Sequence, residues 1–346
     1  MKKYLKPISI FFVYTSLLYA DEFSFSGYGS TGYIFYDRSI IKGNKEESFY
    51  AAKLQMEIEL SKKIETQLDF RAMSDEHAVE LREFSVKFDY YDYLQFKFGN
   101  LKLPFGAEQL ESRENLLTFD RSIGHDSYSG LGYGGRSIGL MAYYKYSKKR
   151  EDFPYSYYFN LYRNNGLVSG AVLRGAYHYG DFIFGGSYLF QHRAGRNPVN
   201  GNGAGADITF ENDNSTFSIE GTVFKDPVVS IQNSLSNDEL AQQAGPHNFK
   251  DEEIYGATLR LTAAYKFDTN ADVIKDIEPL YMFSTYYPDI SELGYIEMQN
   301  MVGANFYFSK QVRLRLQADL RMTKTQFSDE YETLGSRGIF ELQIRF

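Results

Sequence analysis

The residues of this chain best suited to proton transfer or metal ligation are its five histidines, His77, His125, His178, His192 and His247. No two of them have the helical spacing of a zinc-binding HExxH pair. His125, Asp126 and Ser127 have the residue types of a hydrolytic site, but a triad is made by geometry, not adjacency. No nucleophile-elbow pattern surrounds them, so ordinary loop residues are the better reading. Gly27-Tyr28-Gly29-Ser30-Thr31-Gly32 and Gly130-Leu131-Gly132-Tyr133-Gly134-Gly135 fit GxGxxG, and Gly201 to Ala206 nearly does. A dinucleotide site needs a buried strand before the glycines and a helix after them. The first pattern lies inside an alternating strand, and the other two are read as loops leading into strands. There are no cysteines, which excludes disulfides and thiolate metal sites. No catalytic residue, cofactor or metal is expected.

The remaining chemistry is charge held at alternate positions. From Val312, the apolar residues Leu314, Leu316, Ala318, Leu320 and Met322 keep one register. Arg313, Arg315, Gln317, Asp319, Arg321 and Thr323 fill the other. A period of two over twelve residues marks a strand with one apolar and one wet face. The pattern recurs. Leu54, Met56, Ile58 and Leu60 alternate with Lys53, Gln55, Glu57 and Glu59. Phe84, Val86, Phe88 and Tyr90 alternate with Glu83, Ser85, Lys87 and Asp89. Ala257, Leu259, Leu261, Ala263 and Tyr265 alternate with Thr258, Arg260, Thr262 and Lys266. The chain closes on Phe340, Leu342, Ile344 and Phe346, and a final aromatic residue in an amphipathic strand resembles the closing strand of a bacterial outer-membrane barrel.

Strands are expected near residues 23–36, 49–61, 65–73, 80–90, 93–103, 136–147, 155–163, 170–179, 182–193, 206–212, 215–224, 254–267, 277–287, 295–308, 312–324 and 337–346. That is an all-β, transmembrane antiparallel barrel of about sixteen strands. Short connections, such as Tyr91-Asp92 and Gly180-Asp181, alternate with long ones at 37–48, 104–135, 194–205, 225–253 and 325–336, as barrels show. Connections 148–154 and 268–276 are longer than that rule predicts. With so many strands, side chains alone cannot fill the interior, so the charged face is expected to line water. The basic start Met1 to Lys6, the apolar run Ile8 to Leu18 and Ala20 predict a signal peptide over residues 1–20, with one barrel domain over 21–346. Its removal takes away three lysines and moves the formal net charge from -8 to -11. That acidic balance argues against nucleic acid as a partner.

Loop 104–135 carries Glu108, Glu111, Arg113, Glu114, Asp120 and Arg121 beside Leu110, Leu116, Leu117 and Phe119. An outer loop with its own apolar residues is expected to fold into the barrel as a constriction, since long loops in compact domains are usually functional.

Several segments resemble the phosphate-selective porin O and P family. Gly99 to Phe105 is similar to its GQFKEPF-type segment, Thr118 to Arg121 to its TFMER-type stretch, and Gly135 to Gly139 to its GRRLG-type strand start. Glu80 to Phe88 resembles the strand before them. Gly303 to Phe308, continuing through Val312 to Leu314, resembles its GLNWYLNPNVRL pattern. The resemblance implies a sixteen-stranded homotrimeric porin in outer-membrane lipid, with small anions or other hydrophilic solutes as partners. The pore residues it implies are Lys53, Glu83, Lys87, Lys102, Arg121, Arg136 and Arg313. Strand parity and loop position add Arg71, Lys97, Arg113, Arg174, Arg260, Arg315 and Arg321. The chain departs from the family at Tyr50 and Ala51, and at Met282, where arginines are expected. Its inferred lumen also holds Glu57, Glu59, Asp69, Asp89, Glu220, Glu278, Asp319 and Glu341. The expected function is passive diffusion, anion- or phosphate-preferring. A general or cation-preferring porin, a barrel hydrolase and a receptor or adhesin are the rivals.

Overall fold

Alternation along each segment gives every strand one apolar and one polar face, and a single closed sheet buries neither edge. The computed structural model describes residues 22–36, 46–74, 79–148, 152–164, 168–194, 198–227, 253–291, 295–324, 331–333 and 335–346. The predicted leader and most of loops 37–48, 225–253 and 325–336 therefore lie outside the described residues.

Sixteen strands form the wall: β1 Glu22–Tyr36, β2 Glu46–Ser61, β3 Ile64–Met73, β4 Val79–Tyr91, β5 Leu94–Lys102, β6 Arg136–Tyr144, β7 Tyr155–Asn164 and β8 Val168–Tyr179. They continue as β9 Phe182–Arg193, β10 Val199–Glu211, β11 Ser215–Lys225, β12 Tyr255–Tyr265, β13 Asp276–Tyr287, β14 Ile296–Tyr307, β15 Val312–Lys324 and β16 Arg337–Arg345. Two-residue strands at Phe267–Asp268 and Glu332–Thr333 extend the ladders beside β13 and β15. Each strand pairs antiparallel with its sequence neighbours. β16 closes the cylinder on β1, with register from Tyr28↔Arg345 to Tyr36↔Arg337. Closure satisfies every ladder without an edge, the condition for crossing lipid with strands. Among the described residues, no helix is long and apolar enough to cross a membrane.

The predicted faces are the observed ones. Leu316, Leu320, Phe340 and Ile344 are exposed on the outer surface, whereas Arg313, Arg315, Gln317, Asp319, Glu341 and Gln343 are buried on the inner one. One boundary is corrected. β10 begins at Val199, seven residues before the predicted start, so Gly201 to Ala206 is strand rather than loop. The glycines hide the strand's alternation, and they are there for space. A Cβ on Gly203 would lie 3.0 Å from the Phe105 ring and 3.1 Å from the Tyr133 ring.

Those rings belong to the segment between β5 and β6, which carries α1 (Ala107–Leu110) and α2 (Ile123–Gly130). Leu103, Phe105, Tyr128 and Tyr133 pack against inward-facing Tyr162, Val172, Leu189 and Phe224. Phe119 packs on Ile34 and Ile339 of β1 and β16. The interior is thus part dry, a departure from the expectation of a wholly wet lumen. Each fully buried ring contributes on the order of 1.5–3 kcal/mol of transfer free energy.

Candidate functional site

A polar cavity of about 410 Å³ remains between the inward segment and the inner faces of β2–β6. Seven cations line it: Lys53 on β2, Arg71 on β3, Arg82 on β4, Lys102 on β5, Arg136 on β6, and Arg113 and Arg121 from the segment. Five carboxylates accompany them, Asp69, Glu83, Glu114, Asp120 and Asp126. Several of these charges are paired. Lys53 reaches Glu114 at 2.8 Å and Asp69 at 3.9 Å. Arg136 reaches Asp69 at 3.2 Å and Glu83 at 3.1 Å, and Arg113 reaches Asp120 at 3.0 Å. Arg71 also donates to the Met73 Sδ.

Lys102 and Arg121 differ. Lys102 Nζ donates to the carbonyls of Leu110 (3.3 Å) and Glu111 (2.9 Å). Arg121 donates to those of Glu108 (3.1 Å) and Glu111 (2.7 Å). Among the described residues, neither has a carboxylate at ion-pair distance. Two basic side chains therefore meet at one carbonyl oxygen, that of Glu111.

Arg82 was not among the predicted pore residues, because parity places it on the lipid side with Phe84. A bulge moves it. Asp69 pairs with Glu83 and Phe70 with Leu81, so Arg82 is the extra residue and joins Glu83 on the cavity. Bulges re-aim side chains in this way. The readable signal was an arginine in a lipid-facing register, which a membrane strand does not tolerate.

Other predicted pore residues hold the segment to the far wall instead of facing open lumen. Arg315, 1% exposed, pairs with Glu341 at 2.7 Å and donates to the Leu116 carbonyl at 2.8 Å. Arg313 donates to the Glu114 carbonyl at 2.7 Å and to Gln343 Oε1 at 2.9 Å. Arg260 lies 3.5 Å from Glu108 and 3.4 Å from Glu220. Arg174 is buried in a two-pronged pair with Asp207, at 2.6 and 2.9 Å. Burial removes these four from direct contact with a passing solute. Lys97 pairs with Glu83 at 2.6 Å, and Lys87 with Glu65 at 3.4 Å, on the wall below the cavity. Arg321 pairs with Asp319 at 3.0 Å, and Arg337, missed by the sequence reading, bridges Asp319 (3.0 Å) to Asp120 (2.7 Å). At the positions where arginines were expected, Tyr50 faces outward while Ala51 and Met282 are buried on the inner face.

Neutral side chains complete the attachment. Gln317 accepts from Phe119 N–H at 2.8 Å, Gln299 from Ile123 N–H at 2.8 Å, and Ser284 Oγ from Gly124 N–H at 3.3 Å. Glu220 accepts from the N–H groups of Ala107 (3.1 Å) and Glu108 (2.9 Å). Gly106, at φ 78°, is required there, since a Cβ would meet Glu220 Oε1 at 2.2 Å. Within the segment, burial pushes the Glu108 carboxyl up, but Arg260, His125 and the Ser122 hydrogen bonds outweigh it and hold the group below its ordinary range. Glu114 is likewise lowered, burial being outweighed by Lys53. Glu111 is raised, chiefly by burial.

His125 stands near two hydroxyls, yet not as a base. Ser127 Oγ donates to the Ile123 carbonyl at 2.8 Å. His125 Nε2 lies 2.6 Å from Gln109 Oε1 and 3.4 Å from Ser129 Oγ, while Nδ1 lies 3.3 Å from Asp126. Gln109 Nε2 donates to the Gly135 carbonyl at 2.7 Å, which aims its oxygen at the imidazole. The network assigns the proton to Nε2.

Residues 33–222, more than half of the chain, match the family described as phosphate-selective porin O and P. No curated protein sequence matches. Among solved structures, the outer membrane channel DcaP of Acinetobacter baumannii superposes with a TM-score of 0.65 at 9% identity, covering 94% of this chain and 97% of that one. OmpT, an outer membrane protein of Vibrio cholerae, in its trimer form gives 0.60 at 7% identity over 94% and 99%. A mutant of the Rh. blastica porin gives 0.56 at 11% over 94% and 100%. At such identities the structures share the fold alone. A closed sixteen-stranded wall, apolar outside and charged within, and the family match over residues 33–222 agree: the chain belongs to the phosphate-selective porin O and P family of the bacterial outer membrane.

Proposed function

We propose that the protein is a passive diffusion channel for small hydrophilic solutes that favours anions, with segment 103–135 setting the width of its path. The carrying observation is the cavity beside β2–β6, where seven cations face five carboxylates and Lys102 and Arg121 rest on carbonyl oxygens alone. Selectivity in a channel follows the charges on its narrowest wall. An excess of one sign in a low-dielectric cleft raises the local concentration of the opposite ion. The five carboxylates favour a graded anion preference over a phosphate-only filter. Lys102→Gln with Arg121→Gln is expected to move the reversal potential toward the cation side under a salt gradient. An unchanged reversal potential contradicts the assignment.

The reading includes no catalysis. A proton on His125 Nε2 leaves no lone pair there to accept the Ser129 hydroxyl proton, as a triad requires. Lipid or peptide hydrolysis by the purified barrel would refute this part. A homotrimer is part of the same proposal, supported by the family and by the trimer form of the similarly folded OmpT. Light scattering in detergent tests it. Residues 1–20 are proposed as a cleaved leader, and a mature protein that begins elsewhere than Asp21 would refute that boundary.

A further inference from the structure

The wall below the cavity carries the opposite charge. β2 runs from Lys53 beside the cavity toward the short turn that joins it to β3, passing Glu57 and Glu59 on the same face. Gln55, itself on the cavity, donates to Glu57 Oε1 at 2.7 Å, which fixes that face as inward. On the neighbouring strands Glu22 lies directly opposite Glu59, and Glu59 directly opposite Glu65. Asp89 follows on β4. Two basic side chains lie on this strip: Lys87, near Glu65 at 3.4 Å and Asp89 at 3.9 Å, and Lys97 directly opposite it on β5, paired with Glu83 at 2.6 Å, against the five acids Glu22, Glu57, Glu59, Glu65 and Asp89. Lys62 and Lys63 lie in the turn beyond it, with Lys63 set over the outward Tyr90 ring. Like charges directly opposite each other across a ladder are destabilising, so the sheet bears a cost for keeping Glu22, Glu59 and Glu65 side by side.

We propose that the conducting lumen is bipolar along its axis, a basic cavity stacked above an acidic periplasmic wall on the same strands, and that the channel therefore rectifies. This rests on the reading of the lumen as a conducting path, and it adds a direction to it. Four to six residues separate Lys53 from Glu57 and Glu59, roughly 13–20 Å along the strand. The Debye length is about 8 Å at 0.15 M salt and about 3 Å at 1 M. At physiological salt the two zones act as separate regions of opposite sign, each still felt across the path.

The polarity of the effect follows from mass balance of ions at the junction. Barrels place their short turns in the periplasm, so the acidic wall is the periplasmic side. With the periplasmic chamber positive, anions travel inward through the basic zone while cations travel outward through the acidic zone. Both are driven toward the junction, which fills with carriers, and conductance rises. With the polarity reversed, both are withdrawn and conductance falls. The favoured polarity is the one that drives anions into the cell.

The test is the current–voltage curve of the full-length mature protein in planar bilayers at about 0.1 M KCl, where screening leaves both zones effective. Orientation is assigned with Asn164→Cys, at the loop end of β7, labelled from one chamber by an impermeant maleimide. A current ratio on the order of two between polarities is expected, modest beside the roughly 10–10³-fold effects of focused single-sign fields. The ratio is expected to fall to one in 1 M KCl, which needs no variant. Glu57→Gln with Glu59→Gln is expected to straighten the curve while leaving the sign of the reversal potential unchanged. A straight wild-type curve at low salt, larger current at the other polarity, or asymmetry that survives both high salt and the double variant overturns the proposal. A conducting but linear channel refutes bipolarity and leaves the diffusion channel standing. The absence of conductance sinks both.

Discussion

Arg315 is the sharpest place to separate the wall from the segment it holds. It is 1% exposed, pairs with Glu341 at 2.7 Å, and donates to the Leu116 carbonyl at 2.8 Å. Arg315→Ala alone strands Glu341 as a buried, uncompensated charge, and such losses cost about 3–5 kcal/mol. Replacing both partners by apolar residues of similar volume, Arg315→Met with Glu341→Leu, removes that penalty and is often neutral. What the double variant still lacks is the charged hydrogen bond to Leu116, worth about 1.5–3 kcal/mol. At about 1.4 kcal/mol per tenfold, the detached population of residues 114–118 rises roughly ten- to a hundredfold. Gln317, Asn305 and Arg313 still hold the flanks through the carbonyls of Leu117 and Glu114. Single-channel recording is therefore expected to show added open-channel noise and transient larger conductances in the double variant, with unchanged heat-modifiable gel mobility. The single variant is expected to lose barrel stability. Quiet, wild-type traces from a folded double variant would refute the role given to the segment.

Phe105→Ala removes a fully buried ring that touches Tyr128 and Tyr133. It is expected to cost the segment about 3–5 kcal/mol of packing and to raise mean conductance, read in the same recordings. Glu114→Gln removes the 2.8 Å partner of Lys53 and is expected to shift the reversal potential further toward anions. An opposite shift would place Glu114 outside the path. The pH dependence has two limbs. Glu111 is raised by burial, so its stabilising contribution is present below the ordinary carboxylate range and is lost as pH rises through its raised value. Glu108 is lowered because Arg260 outweighs burial, so its contribution is present above that range and is lost as pH falls through the lowered value. Open-channel noise is expected to be least between those two titrations and to rise on both sides.

The wall was legible because it is written at a period of two. The odd-numbered residues from Arg313 to Thr323 and from Glu341 to Arg345 could be sorted by parity alone, and the structure puts them on the inner face. Parity fails where a residue is added or a side chain is missing. The bulge at Arg82 turns an apparent lipid-facing cation inward, and the glycines of β10 erase the alternation that would have marked its first half. Parity also cannot distinguish a wall residue facing water from one covered by another segment. Arg174, Arg260, Arg313 and Arg315 share the register of the cavity residues, yet three of them bind or neutralise the inward segment, and the fourth is closed on Asp207. That distinction depends on where residues 103–135 land, six or seven strands away around the barrel, and no local pattern encodes it. The apolar residues Leu116 and Phe119 hinted that the segment goes inside. The division of the lumen into a packed side and an open side came only with Phe105, Tyr128 and Tyr133.

The most direct measurement is the zero-current potential of the purified protein in a planar bilayer under a KCl gradient, repeated with added phosphate. The account predicts discrete conductance steps and a reversal potential on the anion side, with phosphate carried as one anion among others. An absence of steps, or reversal on the cation side, would contradict it.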